Sequence, residues 1–433
     1  WGEELESWLV HFPSAKKQKY IRLIRELMDT SSEQVFKHCA TKTDVFMKSN
    51  EMLFRQKNGF YGLKPRVIIN VSPRVQVLVG PAIYRAQQNL KELWSIKPVF
   101  TLHTFQNKQV LMSITYAGAA TDASLSLWME LVLHAAAYPK LAIIVAGDDS
   151  LVITNLSGSW KVYEGDASMY DQSESTGPLS CGWTVNSLLG VPAQVNELLK
   201  TLASNTYHVR SKAKGSYEFL RINKKERPLR DTGGADTSLG NSCVMAIAWF
   251  FVLSETQQWS IESFQTCFKQ LGLDMKLREN SPHTCSFLKG MWYYTDHGMV
   301  WGPLISRILK LGKSLVDPRT LYKEKDLTKA ASRFLNDVAA SYRGFLQVPF
   351  LKQFVENFYN NNVKVVTSHI DPFHVRSEDL SSYKLLPEAI DQICLRYDIT
   401  PELLRATLSI FPTRPFMFYS SPLFVKLVAA DYW

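Results

Sequence analysis

The stretch LAIIVAGDDSLVITN, residues 141–155, constrains this chain more than any other. An apolar run rich in β-branched residues enters a Gly-Asp-Asp tripeptide, and a second apolar run leaves it. That pattern predicts a β-hairpin closed by a tight turn. The apolar flanks bury the two strands and hold the tip rigid, so Asp148 and Asp149 project from the end of a buried sheet. A short way downstream, WKVYEGD predicts a further strand ending at Asp166, followed by SMYDQS with Asp171. A strand beside the hairpin would bring the Asp166 carboxylate within bridging distance of the first pair.

Hard divalent cations take oxygen ligands, and Mg²⁺ in particular is held by one or two carboxylates together with substrate phosphates. Two such ions can activate an attacking hydroxyl and stabilise a leaving pyrophosphate. The carboxylates therefore suit phosphoryl or nucleotidyl transfer. Taken singly, each piece also has a plain structural reading: an Asp-Asp turn, or Asp166 as a helix cap. RDTGGADTSLGNS, residues 230–242, predicts a glycine loop opening a helix that carries Thr237 and Asn241 on one face, four residues apart. A glycine turn before a capped, buried helix is the alternative. KPRVIINVSPR supplies Lys64, Arg66 and Arg74, with Arg55 and Lys57 before it. Those cations suit a triphosphate or an RNA backbone, and equally a solvated edge strand.

The rest of the chain gives organisation. KKQKYIRLIRELM predicts an amphipathic helix with a solvated face, and the segment from Leu53 to about Pro81 reads as strand-like and basic. TDASLSLWMELVLHAA predicts a helix, with Asp122 as its cap, and TSLGNSCVMAIAWFFVLSETQQW a long one. CVMAIAWFFVL is too short to span a bilayer, so no transmembrane segment is expected. The six cysteines show no metal-ligand spacing and are expected as reduced thiols. A formal net charge of +9 over 433 residues favours a polyanionic partner. The chain begins at Trp1, as expected of a piece of a longer product.

Together these segments resemble a viral RNA-dependent RNA polymerase, over roughly Arg55 to Gly312. GLKPRVIINVSPR resembles the finger motif that contacts incoming nucleotide, and GDASMYDQS the palm motif D-x₄-D, here Asp166 and Asp171. TGGADTSLGN resembles the S/T-G-x₃-T-x₃-N motif, here Thr232, Gly233, Thr237 and Asn241, and AGDDS the GDD motif. CFKQLGLDMK resembles the lysine motif, here Lys276; CSFLKG, with Lys289, the primer-gripping hairpin; and GPLISRILKLGK the start of a thumb. In most such enzymes GDD follows the glycine-rich motif, whereas here it precedes both other palm motifs. That order is similar to the permuted polymerases of permutotetraviruses and, less closely, of birnaviruses, which typically carry ADN instead of GDD.

The resemblance implies an α+β right-hand fold of fingers, palm and thumb, its permuted palm built on a small antiparallel sheet packed on helices. It implies an N-terminal extension and fingers over 1–140, a palm over 141–301 with inserted fingers at about 176–228, and a thumb and tail over 302–433. The aromatic tail is expected either to cover core or to enter the template channel and regulate initiation. The implied function is template-directed RNA synthesis from NTPs with two Mg²⁺ or Mn²⁺ ions, for viral genome replication and transcription. Asp148 and Asp166 would hold both metals, with Asp149 auxiliary. Asp171, Asn241 and Thr232 would address the ribose 2′-hydroxyl, with Gly233 and Thr237 in the same nucleotide site. Lys276 would serve the departing pyrophosphate, Lys64 and Arg66 the triphosphate, and Arg55, Arg74 and Lys289 the RNA. Implied partners are RNA template and product, NTPs, and other viral replication or capsid proteins, in the host cytoplasm or virion. Three alternatives remain at this point: a catalytically silent RNA-binding scaffold of the same fold, a reverse transcriptase and a metal-dependent nuclease.

Overall fold

The computed structural model describes residues 2–30, 34, 43–47, 53–55, 61–63, 67–96, 100–105, 108–118, 120–168, 170–213, 216–309, 347–353, 383–409 and 422–431. Lys64, Arg66 and Cys39 lie outside the described residues, and of Arg55 only the backbone is described. The strands, in chain order, begin with β1 (Thr43–Met47), β2 (Leu53–Arg55), β3 (Tyr61–Leu63), β4 (Val67–Val71), β5 (Phe100–Phe105) and β6 (Lys108–Tyr116). There follow β7 (Leu141–Ala146), β8 (Asp149–Thr154), β9 (Lys161–Ala167), β10 (Thr206–Ala213) and β11 (Ser216–Asn223). The last are β12 (Met275–Asn280), β13 (Ser286–Phe287), β14 (Gly290–Thr295) and β15 (Gly298–Pro303).

A six-stranded sheet in the order β12-β9-β8-β7-β6-β5 forms the centre. The GDD hairpin lies at its heart, β7 pairing β8 from Leu141↔Thr154 to Ala146↔Asp149. Every neighbouring pair is antiparallel except β6 and β7, which run parallel. The expected antiparallel sheet is therefore mixed. Between β6 and β7 the chain passes through the helix Asp122–His134, and a crossover of that kind returns the strand parallel.

Both faces of the hairpin are covered, which is why its strands read as unbroken apolar runs. With period 2, Ile143, Val145, Val152 and Tyr163 face the helices Thr237–Glu255 and Ile261–Gln270, packing with Trp249, Phe264 and Phe268. Ala142, Ile144, Leu151, Ile153 and Val162 face the other way, onto Trp128, Trp292 and Trp301. Burying each such side chain is worth roughly 1.5–3 kcal/mol against leaving it exposed. Gly165 of β9 is required by this packing, because a Cβ there would lie 2.5 Å from Ser150 Oγ.

The structure corrects two further sequence expectations. From Pro73 to Leu93 the chain is a helix rather than strand. Valines 75, 77 and 79 imitate a period of two, but Ser72 caps the helix by accepting from Val75 N, and Pro73 fits its first turn. Val75, Val79, Ile83, Ala86 and Leu90 then form one buried stripe. Secondly, Thr121 and not Asp122 caps the helix Asp122–His134. Thr121 Oγ1 accepts from Ser124 N at 3.2 Å and Ser124 Oγ from Thr121 N at 2.9 Å, a reciprocal capping box. As for the apolar run CVMAIAWFFVL, the helix that contains it, Thr237–Glu255 at 19 residues, passes the length and composition of a membrane span. In this fold most of it is buried against the sheet, where Trp249 Nε1 donates to Ser150 Oγ at 2.8 Å.

The N-terminal helices Gly2–Leu9 and Ser14–Met28 pack on Pro73–Leu93 through Trp8, Tyr20, Ile24 and Val77. At the other end, β14 and β15 share a core with the helices Ile305–Leu309, Pro387–Tyr397, Pro401–Ser409 and Pro422–Ala430. Phe424 and Leu427 of the aromatic tail are buried there, so this part of the tail covers core. Arg396 ties that core to the sheet, its guanidinium 3.2 Å from Asp431 and 3.7 Å from Glu164 of β9. The five described cysteines are free thiols.

Candidate active site

Three strand registers bring the acidic residues together. Asp149 opens β8 directly opposite Asp166 of β9, and Asp166 lies opposite Lys276 of β12. Residues directly opposed in antiparallel strands share a face, with Cβ atoms about 4.5–5.5 Å apart. Asp149, Asp166 and Lys276 thus form one row across the end of the sheet. The turn of the hairpin is the two residues Gly147 and Asp148. Only the first of them has positive φ, +66°, which is the type II′ arrangement and the reason glycine stands there. Gly147 N–H donates to Ser242 Oγ at 2.7 Å, pinning the turn to the helix that carries Asn241. Ser242, next to Asn241 in the sequence, was not singled out by the sequence motifs.

Asp148 is exposed at the tip, while Asp149 and Asp166 are partly buried. Burial, and after it the neighbouring charges of Asp148 and Asp166, push the Asp149 carboxyl up to about 8; the Lys289 ammonium acts in the opposite sense. Lys289 sits in the two-residue turn between β13 and β14, and both Leu288 and Lys289 adopt positive φ, +52° and +61°. Such a turn ordinarily takes Asn-Gly, so this backbone is strained where it presents a cation to the acidic row.

Asp171 follows β9 in the short helix Tyr170–Ser173. Asn241 Nδ2 donates to Asp171 Oδ1 at 2.8 Å, which fixes the orientation of the amide. Its Oδ1 is buried and has no partner among the described residues, although Asn241 as a whole is only 5% exposed. Burial raises the Asp171 carboxyl, and the Asp148 charge adds to that, so the Asn241–Asp171 pair lies within electrostatic reach of the turn.

The rest of the glycine-rich segment is committed elsewhere. Thr232 Oγ1 accepts from Ile69 N at 2.9 Å, and Gly233 bridges Asn70 in β4. A Cβ on Gly233 would meet Asn70 Oδ1 at 2.1 Å, so glycine is required for this approach. Thr237 Oγ1 donates to the Asp231 carbonyl at 2.6 Å. Thr232 and Gly233 join the loop to the strand that follows Lys64 and Arg66, and Thr237 ties the loop to itself. Arg74 pairs with Glu26 at 3.2 Å on the exposed side of its helix.

Behind the site lies an ionic network that sequence reasoning missed. Arg230 binds Glu174 through Nε and Asp236 Oδ2 through Nη1 at 2.7 Å, and Lys224 binds Asp231 at 2.8 Å. All five side chains are buried. Gly240 admits the Arg230 guanidinium, which a Cβ would meet at 2.4 Å. The network fixes the first turns of the Asn241 helix.

The donor set at the acidic row fits a hard divalent cation: facing carboxylates whose mutual repulsion asks for positive charge, as oxygen-binding Mg²⁺ or Mn²⁺ would supply. Among the described residues no three Asp, Glu, His or Cys side chains are already converged as a closed metal cage. A pair of carboxylates completed by substrate phosphates needs none.

No family model matches the chain, and no curated protein matches it. Among solved structures, the chain is similar to the X-ray structure of the birnavirus VP1–VP3 complex, with a TM-score of 0.50 and 10% identity. The similarity covers 96% of this chain and 59% of that one, so the chain spans less than two thirds of its length. The likeness is one of fold: mixed α+β structure in which a sheet packs on helices.

Proposed function

We propose that the chain is an RNA-dependent RNA polymerase with permuted palm motifs, transferring nucleotides from NTPs to an RNA 3′-hydroxyl. The observation that carries the reading is the register Asp149↔Asp166↔Lys276, which aligns two carboxylates and an ammonium at one end of a buried sheet. A hairpin is a local unit, so it can precede its partner strand in sequence and still deliver its carboxylates to the same point.

Asp149 and Asp166, with Asp148 on the turn, would hold the divalent cations. When bound, these supply charge neutralisation at the reacting phosphate and activation of the attacking hydroxyl. The residues of the chain do the rest. Asn241, held by Asp171, offers a buried carbonyl oxygen with no partner among the described residues; it suits a ribose 2′-hydroxyl as donor, and so favours NTPs over dNTPs. Lys276, exposed at the end of the row, is available to the pyrophosphate as charge or proton donor. Lys289 faces the row from the opposite hairpin and suits the primer backbone. In-line transfer then depends mainly on positioning and charge. Thr232, Gly233 and Thr237 fix the loop that opens the Asn241 helix. The similar structure is a birnavirus VP1–VP3 complex, which supports a viral protein partner here as well.

The second reading is a catalytically silent RNA-binding scaffold of the same fold. Extension of a primed RNA template with Mg²⁺ or Mn²⁺ decides between them. Template-dependent extension by the native chain, abolished in Asp149→Ala and in Asp166→Ala, is the expected result. RNA binding without extension in either metal would replace the polymerase with the scaffold.

A further inference from the structure

Lys289 is an exposed cation on a two-residue turn with positive φ at both positions, a backbone that persists only where its surroundings over-determine it. Part of the support comes from β15 and the residue after it. Leu304 N donates to the Lys289 carbonyl at 3.1 Å, and Trp301 Nε1 to the Phe287 carbonyl at 3.1 Å. A Cβ on Gly290 would lie 2.2 Å from the Trp301 ring, so the turn sits directly on that indole. β13, which enters the turn, is two residues long and forms an edge, pairing with β14.

That edge is held by a side chain. Glu164 of β9 accepts from Ser286 N at 2.7 Å and from Ser286 Oγ at 3.0 Å, and Asn280 Nδ2 donates to it at 2.5 Å. Glu164 is 2% exposed, directly opposite Leu151 on the face that also carries Ile144, Ile153 and Val162. A carboxylate buried among such neighbours is costly unless its oxygens are answered, and here β12 and β13 answer them. Arg396 completes the arrangement. Its Nη1 donates to the Thr284 carbonyl, two residues before Ser286, and lies 3.7 Å from Glu164 Oε1, while its Nη2 is 3.2 Å from Asp431. Glu164 and Asp166 stand two apart on β9 and share a face. The strand that carries an acidic residue of the row thus also carries the hold on the turn that faces it.

We propose that Glu164, oriented by Arg396, is a positioning residue that sets the Lys289 ammonium against the acidic row, where it receives a phosphate of the primer backbone. The inference rests on the reading of Lys289 as a contact of that backbone. Glu164 is buried and acts through Ser286, three residues before Lys289. What it supplies is therefore hydrogen-bond geometry rather than charge.

Binding of a primer–template RNA duplex in chelator, followed by fluorescence anisotropy across a salt series, reads Lys289 without requiring catalysis. Lys289→Met is expected to weaken binding roughly tenfold at about 0.1 M salt and to lower the slope of log affinity against log salt by about one. Glu164→Leu, similar in size but without acceptors, is expected to do the same and to add nothing in the Lys289→Met background. Glu164→Gln keeps an acceptor for Ser286 N and a donor for Ser286 Oγ, and is expected to bind as the native chain does. A change that only loosened the fold would lower affinity at unchanged slope and would add to Lys289→Met; either result overturns the proposal. So does a Glu164→Gln variant that fails as Glu164→Leu does, which would make charge the cause. Ser286→Ala removes one of the two bonds at a half-buried position and carries the test if Glu164→Leu does not fold. A smaller loss, absent from the Lys289→Met background, is expected, and a loss that persists there, or none, overturns the proposal. Unchanged binding by Lys289→Met would take the lysine from the RNA and this proposal with it. A loss in Lys289→Met that neither Glu164→Leu nor Ser286→Ala shares overturns the positioning alone and leaves the polymerase reading standing. Failure of primer extension leaves these binding results unaffected.

Discussion

Two groups of carboxylates lie on either side of the glycine-rich loop, and they are treated in opposite ways. Behind the loop, Glu174, Asp231 and Asp236 are buried, and each is matched to Arg230 or Lys224. At the end of the sheet, Asp149 and Asp166 face each other across adjacent strands with an exposed Asp148 beside them, and the Asp149 carboxyl is held up to about 8 by burial and by its acidic neighbours. The first group neutralises itself and secures the backbone. The second sets two carboxylates side by side at the end of the sheet, with Lys276 opposite Asp166 and the Lys289 ammonium acting on Asp149, where a divalent cation would relieve their mutual repulsion. One group secures the backbone from within, and the other is placed to meet a ligand.

The largest expected effect comes from breaking the self-sufficient group. Arg230→Met strands two buried carboxylates and is expected to cost about 3–5 kcal/mol in urea unfolding. A loss under about 1 kcal/mol would mean that the network is not what holds the loop. Next is nucleotide selection: Asn241→Ala removes the buried amide, worth about 1.5–3 kcal/mol as a charge-linked hydrogen bond, so NTP over dNTP preference should fall about 10- to 100-fold. Competition kinetics with the two nucleotides reads this directly, and unchanged selectivity would take the ribose from Asn241.

Asp149→Asn acts the other way. An acid whose folded value is raised retains its proton while the unfolded chain has lost it, so the metal-free protein loses stability as pH rises from the ordinary carboxylate range through about 8. Removing that charge should raise metal-free stability at pH 8 by about 0.5–2 kcal/mol, with the gain fading toward pH 4. Thermal melts in chelator across that range check it, and a gain that is flat with pH would argue against charge as the cause. The smallest effect is at Arg74. Its half-exposed pair with Glu26 is worth under about 1 kcal/mol, and Arg74→Ala should leave stability nearly unchanged. A drop of about one in the slope of log RNA affinity against log salt would show that Arg74 also meets a phosphate.

What was legible in the sequence follows the same division. The GDD hairpin and the long helix from Thr237 were readable because apolar periodicity and turn residues are local signals. The helix Pro73–Leu93 was misread because its valines alternate, although Ser72 and Pro73 announced a helix start. The facing of Asp149 and Asp166 was foreseeable in kind, since one aspartate stands at the hairpin tip and the other near the end of a following strand, but the register that aligns them with Lys276 is set by tertiary pairing. The parallel β6–β7 pair and the Arg230 network were out of reach. Glu174 lies 56 residues from Arg230, and only the closed fold brings the two together. The hydroxyl of Thr232 shows the limit of motif reading, because its identity is visible in sequence whereas its partner, Ile69 N, belongs to a distant strand.

The account rests on Asp149 and Asp166 acting as one cation site, and a double-mutant cycle on Mn²⁺ affinity tests that most directly. The native chain, Asp149→Asn, Asp166→Asn and the double variant would be titrated at pH 8 with the metal signal followed by electron paramagnetic resonance. The account predicts that either single change weakens Mn²⁺ about tenfold or more, and that the double variant is little worse, a coupling of at least about 1 kcal/mol. Losses that simply add, or an affinity that neither change alters, would contradict it.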